Sequence, residues 1–203
     1  MSCTYDDRRG LSSVIREFCV RWPDQAAVGG RLLSFLRENE DALLRTCVPG
    51  HFTGSALVAN PTLDRVLLTH HRKLDRWLQL GGHADGDGDL ARVAAREAAE
   101  ESGLCELVFL AHPFLLADGG APLPFDVDVH EIPARGTDPP HLHYDVRYVM
   151  IGRDDTPLVV SDESHDVRWF SLSDARAVTD EESMHRQFDR IVWLRGSLAL
   201  GGC

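Results

Sequence analysis

Residues 81–104 read GGHADGDGDLARVAAREAAEESGL, and this stretch decides the fold. Its first nine residues hold four glycines and three aspartates, a loop composition whose backbone can come close to a ligand. From Leu90 to Ser102 strong helix formers take over, and Gly103 is the residue type that stops a helix in the left-handed conformation. With WLQL (77–80) leading in, the order is strand, loop, helix. At about 100° per residue, Ala91, Ala94, Ala95 and Ala98 share one arc, a ridge of minimal side chains that lets the helix backbone sit close to a sheet. Glu97, Glu100 and Glu101 fall on an adjacent face that also holds Leu90 and Val93, so the carboxylates flank buried surface.

Three glutamates this close repel one another by a few tenths of a kcal/mol per pair in water, and by more where water is excluded. Arg96 can pair with Glu100 one turn on, which leaves a surplus of negative charge. A solvated acidic face would carry the same residues, but here they follow a glycine loop next to a helix N-terminus, where free N–H groups and the dipole favour phosphate. A hard divalent cation with oxygen ligands, Mg2+ above all, answers the surplus.

Outward from this unit, HFTGSALVAN (51–60) and DRVLLTHH (64–71) read as a hairpin about Pro61. CELVFLAHPFLL (105–116), PFDVDVHEI (124–132), HLHYDVRYVMI (141–151) and VRWFSL (167–172) are further strand candidates, and EESMHRQFDRIVWL (181–194) reads as a closing helix. Residues 11–20 and 31–46 show the spacing of two amphipathic helices around a break at Trp22, Pro23 and Asp24. The expectation is an α/β fold, an α/β/α sandwich with a mixed β-sheet, preceded by a helical extension over residues 1–50 and occupying 51–203.

A chain of 203 residues with 43% hydrophobic and 26% charged residues is an ordinary globular domain plus an appendage. It has no apolar run near the ~18 residues of a membrane span, and MSCTYDDRRG lacks a signal peptide's apolar stretch, so the expected location is cytoplasmic. A formal net charge of −11 argues against bulk nucleic-acid binding and acidic membranes. Cys3, Cys19, Cys47, Cys105 and Cys203 are scattered and read as reduced thiols.

Residues 82–104 resemble the signature of the Nudix hydrolases. Gly82 is followed fourteen positions later by Arg96 and Glu97, then Ala98 in the aliphatic slot, Glu100, Glu101, Gly103 and Leu104. One departure is plain: the glutamate expected six residues after the first glycine is Gly88, between Asp87 and Asp89. That position is read as a brace for the loop, so Gly88→Glu is expected to leave turnover within roughly tenfold and to raise the melting temperature. The strand order and the ending VRWFSLSD also look like the family, whereas residues 1–50 lie outside the resemblance.

The resemblance implies a Nudix-type fold and Mg2+-dependent hydrolysis, with Mn2+ as the alternative ion, of a pyrophosphate bond in a nucleoside diphosphate linked to another moiety. It implies metal ligation by Glu97, Glu100, Glu101 and the Gly81 carbonyl, with catalytic roles for Glu97 and Glu101 and a further acidic ligand in Glu163. Glu97 is either a third ligand or the base. Arg72, Lys73 and Arg76 could meet phosphates or solubilise a turn, and His83 touches substrate or caps the helix. A nucleotide-binding regulator without turnover is the competing function, and a homodimer through the extension is compatible with both.

Two strands carry a polar face each. His141, His143, Asp145 and Arg147 alternate with apolar residues in one, and Asp126, Asp128 and His130 in the other. If ARGTDPP (134–140) closes an antiparallel hairpin, stacking the apolar faces also gathers the polar ones. That face is solvated, or it is a substrate-facing wall in which His141, His143, Asp145 and Arg147 grip the substrate; three histidines with an aspartate could also hold a transition metal.

Overall fold

The computed structural model describes residues 5–134, 136 and 139–200. Cys3 and Cys203, and part of the 134–140 connection, lie outside the described residues. The strand Gly50–Ala59 (β1) is buried along its whole length, as a strand covered on both faces must be. On one side it runs parallel to His141–Ile151 (β7) through ten consecutive pairs, from Gly50 opposite Leu142 to Ala59 opposite Ile151. On the other it pairs antiparallel with Leu80–His83 (β4) through residues 53–56 and with Arg65–His71 (β2) at Val58 and Ala59. The expected hairpin therefore exists only at its turn end, because β4 takes over the edge that β2 leaves. Arg76–Leu78 (β3) and Ser164–Ser171 (β8) flank β2, while Val108–Phe109 (β5) and Asp126–Ile132 (β6) flank β7. The sheet is mixed and eight-stranded.

Helices cover both faces. Tyr5–Arg21 (α1), Ala26–Glu38 (α2) and Leu90–Ser102 (α3) lie on one side, with Leu11, Ile15, Phe18, Leu32, Phe35, Leu90 and Val93 in the same apolar cluster as Phe52 and Tyr144. Phe35 stacks on Tyr144 with ring centroids 3.8 Å apart, so the N-terminal helices share the core of the sheet. The alanine ridge is as expected: Ala91, Ala94 and Ala98 are buried, and a Cβ on Gly54 would lie 2.6 Å from the Leu90 carbonyl oxygen. Asp89 caps this helix through the Arg92 N–H at 3.1 Å, and Gly103 ends it at φ +73°. Leu172–Ala177 (α4) and Glu182–Leu200 (α5) cover the opposite face, where Phe188, Ile191 and Leu194 pack with Leu57, Phe125 and Val149. Among the described residues, no helix is long and apolar enough to cross a membrane.

Two sequence expectations are corrected. The second helix spans 26–38 rather than 31–46: Asn39 is extended, and both its N–H and its side-chain amide bond the Phe35 carbonyl, at 3.1 and 3.0 Å. Ala42 and Leu43 are buried from turns, where the Ala42 carbonyl accepts from Phe52 and that of Leu43 from Gly86. Their spacing reported burial, not helix. The segment 105–116 is a two-residue strand and a 3-10 turn (Pro113–Leu115), because Pro113 has no N–H for a ladder and His112 Nδ1 accepts the Phe114 N–H instead.

Because β1 and β7 are in register, their α5-side residues form a graded strip. His51 faces His143, Thr53 faces Asp145, Ser55 faces Arg147, and then come Leu57 with Val149 and Ala59 with Ile151. The strip runs from imidazole through ion pairs to hydrocarbon.

Candidate active site

The glycines that open the loop lie under the glutamates. A Cβ on Gly82 would stand 2.4 Å from the Glu97 carboxyl carbon, so only glycine lets that carboxylate rest on the β4 backbone. The Gly81 N–H donates to Glu101 Oε2 at 3.2 Å. Within a strand the N–H and C=O of one residue point to the same side, so the Gly81 carbonyl faces the same carboxylates. Glu101 is 6% exposed. Burial pushes its pKa up to about 8; the Gly81 N–H opposes that rise, and the charges of Glu97, Glu163 and Glu100 add to it. Glu97 is also raised, by burial first, against the pull of Arg96. Arg96 pairs with Glu97 at 2.8 Å and not, as its spacing suggested, with Glu100, which is exposed.

Glu163 stands in the turn just before β8. Its carbonyl accepts the Arg72 N–H at 2.9 Å, and the Arg72 guanidinium donates to the Ser164 carbonyl at 2.8 Å, so the two residues are held side by side. Among the described residues no ion pair reaches Glu100, Glu101 or Glu163. A buried carboxylate of raised pKa, beside three more carboxylates and an outward carbonyl, is an all-oxygen donor set in want of positive charge, and a hard divalent cation fits it. Arg76 is drawn away to Glu181, and Trp77 packs between His70 and Phe170.

Gly88 is buried, and its place in the loop is taken by the N-terminal helix. A Cβ there would stand 2.6 Å from Asp7 Cβ and 2.9 Å from the Asp7 carbonyl. The structure thus overturns the expectation that glutamate would be accommodated, since α1 occupies the space it needs.

The pairing of β6 with β7 places Asp126 opposite Arg147, Asp128 opposite Asp145 and His130 opposite His143. The gathered polar face is as expected, but its middle is neither solvated nor open to a substrate. Arg147 is 2% exposed and donates to Asp145 at 2.7 Å, Asp126 at 3.0 Å and Asp128 at 3.3 Å. Asp145 also accepts from Thr53 at 2.8 Å, Ser55 at 2.7 Å and Gln79 at 3.2 Å. Arg186 of α5 bonds Asp126 at 2.7 Å, and Arg190 joins Asp126 to Asp24. Burial alone would raise Asp128, but His130, Arg147 and Arg186 outweigh it and hold the carboxyl well below its ordinary range. Asp145 and Arg147, read from the sequence as substrate contacts, are therefore spent on fastening β1, β6, β7 and α5 together.

The histidines gather at the polar end of the strip. His83 does not cap α3, since Asp89 does; it turns to the α5 side and meets His51 and His143, with ring centroids 4.9 and 5.2 Å away. His141 lies 5.0 Å from His51, and His130 lies 5.5 Å from His143. Burial, followed by neighbouring positive charge, lowers His51 and His83 to about 4 and His143 to about 2. Sequence reading missed His51. Its two-residue step from Thr53 and Ser55 was visible, but its alignment with His143 needed the parallel pairing.

With this geometry in view, the NUDIX domain family matches residues 51–191 of the chain. Among solved structures, a NUDIX-family hydrolase from Clostridium perfringens matches with a TM-score of 0.54 at 22% identity, over 71% of this chain and 97% of the other. A C. elegans Ap4A hydrolase binary complex matches with a TM-score of 0.50 at 16% identity, over 75% and 98%. No curated protein matches. The family match spans most of the chain and contains the glycine loop, the alanine-faced helix and its three glutamates, and so the chain belongs to the Nudix hydrolase family.

Proposed function

We propose that the protein hydrolyses a pyrophosphate bond in a nucleoside diphosphate linked to another moiety, with Mg2+ or Mn2+ held by Glu97, Glu100, Glu101, Glu163 and the Gly81 carbonyl. The observation that carries this reading is the buried Glu101, raised to about 8 on the backbone of Gly81 with like charges around it. Such a carboxylate is costly without a cation, which supports a metal centre on this helix. When bound, the cation neutralises phosphate oxygens and makes water more acidic.

The chain's own residues do the rest. Glu97, braced by Arg96 and by the glycine beneath it, or Glu101, takes the proton of the attacking water. Arg72, fixed by the β8 backbone, keeps part of its guanidinium for a phosphate of the substrate. His83, His141 and His143 form the adjoining wall, in which burial keeps His83 and His143 neutral, while Asp145 and Arg147 support that wall from beneath. Water adds across the anhydride, one P–O bond breaks, and each product leaves with a terminal phosphate.

The test is a panel of nucleotide sugars, dinucleoside polyphosphates, nucleoside triphosphates and capped RNA, assayed with Mg2+ and with Mn2+. Turnover of at least one class that stops in chelator is expected. Tight binding of a nucleotide with no turnover under any ion would replace the enzyme by a nucleotide-sensing regulator.

A further inference from the structure

His51, His83 and His143 come from three adjacent strands, β1, β4 and β7, and each offers a ring nitrogen within 4.8 Å of the other two. Register makes this arrangement, since His83 pairs with Thr53 and His51 with His143, so that the three side chains emerge on one face. His51 is 4% exposed. Neither of its ring nitrogens has a hydrogen-bond partner, and Nε2 of His143 is likewise buried without one. A neutral imidazole carries one N–H and one lone pair, and buried polar atoms in native proteins are nearly always satisfied. Unsatisfied nitrogens turned into one cluster are what a bound cation would explain.

We propose that His51, His83 and His143 hold one divalent transition-metal ion of the zinc, nickel or copper class, at a site separate from the glutamate centre. The donor set decides the class: three imidazoles suit these borderline ions, whereas Mg2+ prefers oxygen and keeps its water. Two nitrogens at ~2.0–2.1 Å on a tetrahedral zinc ion lie about 3.3–3.4 Å apart, so the ring nitrogens close by up to about 1.5 Å on binding. His83 and His143 are half-buried, less enclosed than His51. Neighbouring groups serve the site: His130 bonds Asp128 at 3.2 Å beside His143, and the His141 ring is 5.3 Å from His143, at the rim where a fourth ligand would enter. Three protein ligands with one open position are the pattern of an ion that also meets a small molecule.

The experiment uses the full chain carrying Glu101→Gln, stripped with chelator and titrated with Zn2+ against a chromophoric competitor in the presence of millimolar Mg2+. One equivalent of zinc is expected to bind. Its affinity should fall at least 100-fold in the further variants His51→Ala and His143→Ala, and zinc-edge X-ray absorption should fit imidazole nitrogens. Zinc affinity unchanged by both histidine substitutions, or a coordination shell of oxygen alone, overturns the proposal. Should the histidine variants fail to fold, the absorption spectrum of the unsubstituted chain, its glutamates kept occupied by Mg2+, decides between nitrogen and oxygen.

Discussion

Glu101→Gln should stabilise the metal-free protein at neutral pH while abolishing most of its activity. In the folded chain Glu101 titrates near 8, against 4.5 for an unburied glutamate. An acid whose folded pKa is raised costs the native state stability at pH values above its unfolded pKa, and the cost grows until the folded pKa is passed. Between 4.5 and 7 the native chain keeps a proton that the unfolded chain has lost, and at ~1.4 kcal/mol per pH unit the cost reaches about 3 kcal/mol at pH 7. At pH 5 it is below about 1 kcal/mol. Glutamine keeps the shape and an oxygen for the Gly81 N–H but cannot ionise. In a chain of this size about 3 kcal/mol corresponds to roughly 6–12 °C. Thermal unfolding in chelator, followed by circular dichroism at pH 5 and pH 8, should show a higher melting temperature for the variant at pH 8 and near-equality at pH 5. With Mg2+ the order should reverse, because only the unsubstituted chain gains the full ligand, and turnover of the variant should fall ~100-fold or more. An equal shift at both pH values, or a variant less stable than its parent in chelator at pH 8, would refute the argument from burial.

Gly88→Glu should destabilise the protein by at least ~1–3 kcal/mol, the usual cost of overpacking, and open α1 to limited proteolysis; an undisturbed melting temperature would show that α1 yields at Asp7. Arg147→Met leaves the buried Asp145 without a cationic partner and takes one from each of Asp126 and Asp128, and should cost about 3–5 kcal/mol in urea unfolding; a loss under ~1 kcal/mol would count against the network. If Arg72 meets phosphate, Arg72→Ala should raise KM for the identified substrate severalfold and change kcat less; the opposite split would move the residue into the chemical step.

What could be read from the sequence was what depends on near neighbours. The alanine ridge and the glutamates beside it follow from 3.6 residues per turn, and the glycines before them announce a close backbone approach. The strip joining His51, Asp145 and Arg147 to α5 was harder, because polar alternation in a strand looks the same whether it faces water or two arginines that reach Asp126 from 60 and 64 residues downstream. Parallel pairing between β1 and β7 joins residues some ninety positions apart and leaves no local mark. Ala42 and Leu43 misled for a related reason, since apolar spacing records which residues are buried and not the backbone that buries them.

The contact between Gly88 and Asp7 also makes two distant parts of the chain depend on each other. Glycine at 88 is comfortable only because a helix lies over it, and that helix can lie there only because the position lacks a side chain. Placing glutamate at 88 alone collides with the helix, and deleting the helix alone bares a loop without its brace, together with the apolar faces of Phe52 and Tyr144. Neither change is open while the other half remains, so the pair works as a ratchet. A shortened version of this protein beginning at residue 51 would need both changes made together.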